Sequence, residues 1–493
     1  MRLRELLSTL AIYQAEGNLD VEIKGIETDS RKVRPGSLFV ALRGFTVDGH
    51  NFIEQAKSNG AAAFMVEKPV EGVDTFIQVP DTKKALAIVA DLFFDQPTRK
   101  LGLIGVTGTN GKTTVTHLVE KIMTDAGHLT GIIGTIEMRI GDYREDAKNT
   151  TPESLELQRM FSLMEQHGAS HACIEVSSHA LELGRVWGCE FKTAIFTNLT
   201  QDHLDYHETM ENYRNAKSLL FSQLGNTYNG KQKKIAILNK DDKQFDYMYR
   251  ATSAEVISYA IDREADIRAS GIVIEPTGTK FMLETYKGSI PVTMKLVGKF
   301  SVYNVLAATA ACLVEGVSLS AIKDSIESIN GVPGRFEPVN EGQDFAAIVD
   351  YAHTPDSLEN VLKTVREITP QKVICVVGCG GDRDRTKRPL MAQIAADYSD
   401  LAVYTSDNPR SEDPSRILDD MVEGLSDERY GSARYKCILD RKEAIEFAVS
   451  QAEPGDAIII AGKGHETYQI IQNEVLPFDD KEVVSVAIKK RMK

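Results

Sequence analysis

The stretch Gly105-Val106-Thr107-Gly108-Thr109-Asn110-Gly111-Lys112-Thr113-Thr114 follows the apolar run Leu101–Val106 and opens the helical run Val115–Ala126. It reads as a strand, a glycine-rich phosphate loop and a helix. Glycines let backbone N–H groups approach phosphate oxygens, Lys112 can reach the terminal phosphates, and the Thr113 hydroxyl is placed to bind Mg²⁺ at the positive end of the helix. The usual pattern wants glycine at position 106, where this chain has Val106 between Gly105 and Gly108. An ordinary strand-to-helix turn is the competing reading, and Gly111-Lys112-Thr113 in this context argues against it. The stretch implies a bound nucleoside triphosphate without saying what becomes of it.

At 493 residues the chain is too long for one core and suggests about three domains. Its 42 % apolar and 26 % charged content is that of a globular protein. A net charge of −14 argues against a general nucleic-acid binder, so any phosphate site must be built locally. Six scattered cysteines show no zinc-type spacing, Cys375 and Cys379 read as buried strand thiols, and the usage fits a reducing cytosol. Glu5, Ser8 and Thr9 interrupt the apolar residues near the N-terminus, which favours an amphipathic helix over a signal peptide. No run approaches the ~18 apolar residues of a membrane span. The expectation is a cytoplasmic, monomeric protein with small-molecule partners and no nucleic acid.

The pattern divides the chain into 1–97, 98–331 and 332–493. The first block reads as a small α/β domain with strands near Leu38–Leu42, Ala62–Val66 and Phe76–Val79, and Gln96-Pro97-Thr98 as a linker in which proline begins extended chain. The second alternates apolar runs (Leu101–Val106, Cys173–Val176, Thr193–Phe196, Ile235–Leu238) with helices (Glu153–Gln166, Met210–Leu224, Val302–Val314), which predicts a mostly parallel sheet covered on both faces. Gly271–Ile274, Lys280–Glu284 and Ile290–Leu296 predict a small antiparallel insert beside it. The third block reads as a Rossmann-like, doubly wound domain, with ligands at the carboxyl ends of its strands. The fold class is therefore α/β in three domains around a central P-loop sheet.

Three polar clusters suit a metal-phosphate site. Glu175-Val176-Ser177-Ser178-His179 ends one strand, and Asn198 to Asp205, with His203, ends another beside the phosphate loop's own strand. Glu175 and the hydroxyls are the oxygen donors a hard cation needs. On the helix Tyr213–Phe221, Lys217 shares a face with Tyr213, Leu220 and Phe221. It reads either as a snorkelling cation or as a buried amine of lowered pKa, and the residue pattern by itself favours snorkelling. Ser30, among basic neighbours, could hold an anionic group, but the string by itself favours a solvated turn before a strand. In the third block, charged residues end four strands: Asp350–Ser357, Gly381–Arg388, Thr405–Arg410 and Gly462–Glu466. Arg383 and Arg410 are candidate carboxylate forks and Asp407 and Glu466 candidate ammonium acceptors, a set that suits an amino acid.

The chain resembles the Mur ligase family along essentially its whole length. The resemblance rests on Thr107 to Thr114 with its missing first glycine, Asn149-Thr150-Thr151-Pro152, Glu175 to His179, Asp202-His203, Tyr213 to Lys217, Pro333-Gly334-Arg335 and Asp350 to Pro355. Asp407-Asn408-Pro409-Arg410 resembles the signature of members that select meso-diaminopimelate. The resemblance implies an ATP- and Mg²⁺-dependent amide ligase that adds this amino acid to UDP-N-acetylmuramoyl-L-Ala-D-Glu through an acyl phosphate. It assigns Gly108, Thr109, Asn110, Gly111, Lys112, Thr113, Thr114, Asn304, Arg335 and Asp350 to ATP. Ser30, Asn149, Thr150, Thr151, Ser177 and Arg185 fall to the UDP substrate; Arg383, Asp407, Asn408, Pro409, Arg410, Gly462 and Glu466 to diaminopimelate. Thr113, Glu175 and His203 are implied Mg²⁺ ligands, with Lys217 as an N6-carboxylysine, and Lys112, Lys217, Glu175 and His203 are implied catalytic residues. Leu183 departs from members that carry glutamine there. Rival readings are an L-lysine-adding ligase, a folylpolyglutamate-synthase-like ligase and a non-catalytic nucleotide-binding regulator.

Overall fold

A computed structural model describes residues 1–44, 47–147, 149–228, 233–423, 425, 434–472 and 474–493. Among these residues the N-terminal block forms a five-stranded sheet in the order Gln14–Glu16, Phe76–Gln78, Ala61–Val66, Ser37–Val40, Gly25–Glu27. Successive side chains of a strand point to opposite faces. Leu38 and Val40 accordingly pack with Leu3, Met65 and Leu86, while Phe39 packs with Ile53 and Phe64. Both faces are covered, hence the unbroken apolar run. Pro97 corrects the expected extended linker: it is the first residue of a short helix, Pro97–Lys100, where its missing N–H costs nothing.

The central sheet runs through eleven described strands, with the phosphate-loop strand Gly102–Thr107 between His171–Glu175 and Phe191–Phe196. All three are parallel. Ile104 and Val106 meet the helices Lys112–Asp125 and Lys299–Val314, whereas Leu103 meets Ser154–Gln166 and Met210–Ser222 on the other face. The antiparallel strands Ile267–Glu275, Gly278–Thr285 and Gly288–Met294 do not stand apart from the parallel core. They continue it, because Ile267–Glu275 pairs in parallel with Glu255–Ala260. A hairpin not read from the sequence, Glu137–Ile140 with Tyr143–Asp146, extends the opposite edge.

The C-terminal block forms a sheet in the order Glu337–Pro338, Ala346–Asp350, Ala457–Ala461, Val373–Cys379, Leu401–Ser406, Tyr435–Cys437, antiparallel only at its first pair. Cys375 and Cys379 lie buried in its middle strand. Among the described residues no helix is long and apolar enough to cross a membrane.

Candidate functional site

Parallel register sets Glu175 opposite Val106 and Phe196 opposite Thr107. The segments leaving both neighbouring strands therefore emerge beside the phosphate loop. Gly111 caps the following helix at φ +87°, and a Cβ there would lie 2.4 Å from Asn304 Oδ1, so only glycine lets the loop rest against that side chain. The Asn110 N–H donates to Asn198 Oδ1 (2.9 Å) and Thr197 Oγ1 donates to Asn110 O (2.6 Å).

Glu175 is 1 % exposed and accepts from Thr113 Oγ1 (3.0 Å), Thr135 Oγ1 (3.0 Å) and the Thr135 N–H (2.8 Å). Thr135 was not singled out in the sequence; forty residues separate it from Glu175, and a lone threonine carries no signal. Arg335 Nη2 donates to Thr113 Oγ1 at 2.9 Å and its guanidinium stacks on the Tyr351 ring. Asp350 accepts from the Phe336 N–H (2.7 Å), and burial pushes its carboxyl up against the pull of Arg335.

Lys217 is 1 % exposed, which overturns the snorkelling reading. Tyr213, one turn earlier, covers it, and Nζ donates to Gly108 O at 2.8 Å. Burial and nearby Lys112 push its pKa well below the ordinary lysine value. Lys112 donates to Gly108 O (3.0 Å) and Thr109 O (2.8 Å), and burial lowers its pKa as well.

Burial drives the His203 ring down to about 3 and His353 down to about 4, so both are neutral at pH 7. Between them lies Asp202, 3.3 Å from His203 Nε2, 3.6 Å from Lys387 Nζ and 3.8 Å from His353 Nε2. Burial works against its charge, yet His203, whose N–H donates to Oδ1 at 2.9 Å, and Lys387 hold it below the usual carboxylate range.

One cavity of about 590 Å³ joins the phosphate loop to the C-terminal strand ends. Glu175, Ser177, His203, Lys217, Asn304, Arg335 and Asp350 line it together with Arg383, Asp407, Asn408, Arg410, Gly462 and Glu466. Thr150 also lines it; Ser30, Asn149, Thr151, Arg185 and Pro409 do not, nor does Gly108. Ser30 Oγ donates to Gln55 Oε1 at 2.7 Å inside the N-terminal block. Arg185 Nη1 donates to Thr151 O at 2.9 Å, behind Glu175. Arg410 Nη1 donates to Gly381 O at 2.8 Å, and burial together with Arg383 draws the guanidinium below its usual pKa. The turn at Gly334 and the loop after Ala457–Ala461 meet backbone to backbone: a Cβ on Gly334 would lie 2.1 Å from His465 N.

A phosphate loop facing, across one crevice, a second doubly wound sheet lined with both signs of charge is the frame of a nucleotide-driven ligase. Residues 106–312 match the Mur ligase middle domain, 334–464 the Mur ligase glutamate ligase domain and 22–94 the Mur ligase family catalytic domain. The chain belongs to the Mur ligase family, whose members are ATP-dependent ligases. It is 56 % identical to the UDP-N-acetylmuramoyl-L-alanyl-D-glutamate--2,6-diaminopimelate ligase of Bacillus cereus over 492 residues, 100 % of this chain and 99 % of the relative. The enzyme of the same name from Geobacillus thermodenitrificans is 54 % identical over 491 residues, 100 % of both chains. A solved structure of a protein of that name is 34 % identical, with a TM-score of 0.70 over 100 % of this chain and 99 % of the other.

Proposed function

We propose that this chain joins meso-diaminopimelate to the D-glutamyl side-chain carboxylate of UDP-N-acetylmuramoyl-L-Ala-D-Glu in the cytoplasm, with release of ADP and phosphate, as a step of peptidoglycan precursor synthesis. The observation that carries this reading is Arg410. Its Nη1 is spent on Gly381 O, while Nε and Nη2 have no acceptor among the described residues. That edge of a guanidinium suits a carboxylate bidentately. Glu466 and Asp407 in the same cavity suit an ammonium group, so the distal end of diaminopimelate, which carries both charges, fits where lysine would leave the fork unpaired.

In this reading the acceptor carboxylate attacks the γ-phosphorus of ATP, ADP leaves, and an acyl phosphate forms. The amine of diaminopimelate then attacks the acyl carbon, phosphate departs, and the amine loses a proton as the amide forms. Lys112 and the N–H groups of Gly111 to Thr114 stabilise charge on the transferring phosphoryl group, since those of Thr109 and Asn110 are already donated to Asn198. Asn304, Arg335 and Asp350 hold the nucleotide. Thr150 and Ser177, which line the cavity, and Ser30, Asn149, Thr151 and Arg185, which do not, hold the UDP substrate in this reading, the outer four on the strength of the family resemblance.

Thr113 Oγ1 and Glu175 Oε2, two oxygens 3.0 Å apart, fit Mg²⁺, which takes few protein ligands alongside phosphate oxygens. Neutral His203 would add a nitrogen ligand, and Lys217 would fit a carbamate, because a neutral buried amine can add CO₂ and lose one proton to become an anion. When bound, Mg²⁺ would supply neutralisation of the triphosphate's negative charge. The test is ADP release with an amino-acid panel. Release should require both the UDP-dipeptide and meso-diaminopimelate; equal kcat/KM with L-lysine would refute the specificity, and release independent of both substrates would refute the ligase reading.

A further inference from the structure

Lys463 directly follows Gly462, and neither the phosphate-loop motif nor the family resemblance gives it a role. Its side chain is 0 % exposed. An ammonium sealed from water is costly unless its protons find acceptors. Lys463 finds two, Asn408 Oδ1 at 3.1 Å and Glu466 Oε2 at 3.0 Å. These acceptors are bonded to each other, since Asn408 Nδ2 donates to Glu466 Oε2 at 2.9 Å. The Ile470 N–H also donates to Asn408 Oδ1 (3.0 Å), so the amide oxygen takes two donors and its nitrogen must face the carboxylate. Glu466 Oε2 is thus held twice, while Oε1 has no donor among the described residues. Glu466 and Asn408 line the cavity; Lys463 stands behind them.

The geometry points to Lys463 as a positioning residue for the amino-acid substrate: it pins Glu466 through one carboxylate oxygen and so presents the other to the substrate ammonium. This rests on the reading above that the crevice takes a diamino acid. Placement matters because a binding group that drifts by about 0.5 Å loses its geometry, and a closed triangle of charge-assisted bonds prevents that drift.

A double-mutant cycle on the full chain tests it, by steady-state ADP release with Lys463→Met, Glu466→Gln and both together. Lys463→Met should raise the KM for meso-diaminopimelate about tenfold while the KM values for ATP and the UDP-dipeptide stay within about twofold. The double variant should be no worse than Glu466→Gln alone. Multiplying losses, or an equal rise for all three substrates, overturns the assignment. Should Lys463→Met not fold, Lys463→Gln, which keeps an N–H for Glu466 without the charge, takes its place in the same cycle. Absence of diaminopimelate-dependent release in the unaltered enzyme would instead overturn the substrate reading, and the same cycle run with the amino acid that does release ADP still decides Lys463.

Discussion

Arg410 adopts φ +51°, a left-handed conformation that costs a non-glycine residue about 1–2 kcal/mol. Its N–H donates to Ile470 O (3.0 Å) and its carbonyl accepts from the Gln472 N–H (2.6 Å), so the hairpin Tyr468–Pro477 holds it there. A strained backbone aims a planar fork that no lysine reproduces. Arg410→Lys should therefore lower kcat/KM for meso-diaminopimelate about 10- to 100-fold while KM for ATP stays unchanged, read from initial rates. Lys217→Ala should lose most turnover, and added bicarbonate or a short carboxylate should restore part of it; full turnover in the variant would remove the carbamate from the mechanism. Chemistry was legible at such residues where a polar side chain closes an apolar run, as at Glu175. Lys217 was not legible from its helix face alone, because the same spacing serves a snorkelling cation; burial by Tyr213 and the loop decides it. Lys463 stood in view inside Gly462–Glu466, but its partner Asn408 lies on another strand end.

Elements were legible where both faces of a sheet are covered. Leu103–Val106, Val373–Cys379 and Ala457–Ala461 read as unbroken apolar runs for that reason. Tyr143–Asp146 and Gln14–Glu16 are not legible because they are short, polar edge strands; the first is paired only within its own hairpin and the second by Phe76–Gln78, far along the chain. How elements are tied together is also invisible in sequence. Glu315, just past the helix Lys299–Val314, accepts from His171 Nε2 (3.1 Å) and Lys192 Nζ (2.5 Å), so one carboxylate staples the helix end to the starts of two central strands. Burial opposes its ionisation, but His171 and Lys192 hold its pKa below the model-peptide value of 4.5. A depressed carboxylate contributes stability above its unfolded pKa and loses it as pH falls through the folded value. Glu315→Gln should thus cost about 1–3 kcal/mol near pH 7, with the gap to the unaltered protein narrowing below pH 4.5, as measured by urea unfolding at both pH values.

Across the whole molecule, the C-terminal block reaches the phosphate loop and the segment after Phe191–Phe196 through single side chains. Asn110 Nδ2 donates to Asp356 Oδ2 (2.8 Å), Arg335 to Thr113 (2.9 Å) and Gln201 Nε2 to Thr386 Oγ1 (3.1 Å). Asp356→Ala leaves the loop itself intact and removes a bond between the blocks. We expect nucleotide affinity within about twofold and a kcat lowered about tenfold, near 1.4 kcal/mol, separable by titration and by initial rates. The contact between Gly334 and His465 reaches further. Arg335, which touches Thr113, and Glu466, which lines the cavity and is proposed to accept an ammonium, are each one residue from that seam. The close approach at this seam predicts that a shift of one loop presses on the other, and so that the two substrates are thermodynamically linked. Whatever factor diaminopimelate imposes on ATP affinity, ATP must impose on diaminopimelate, and a side chain at position 334 should weaken both halves of that reciprocity together.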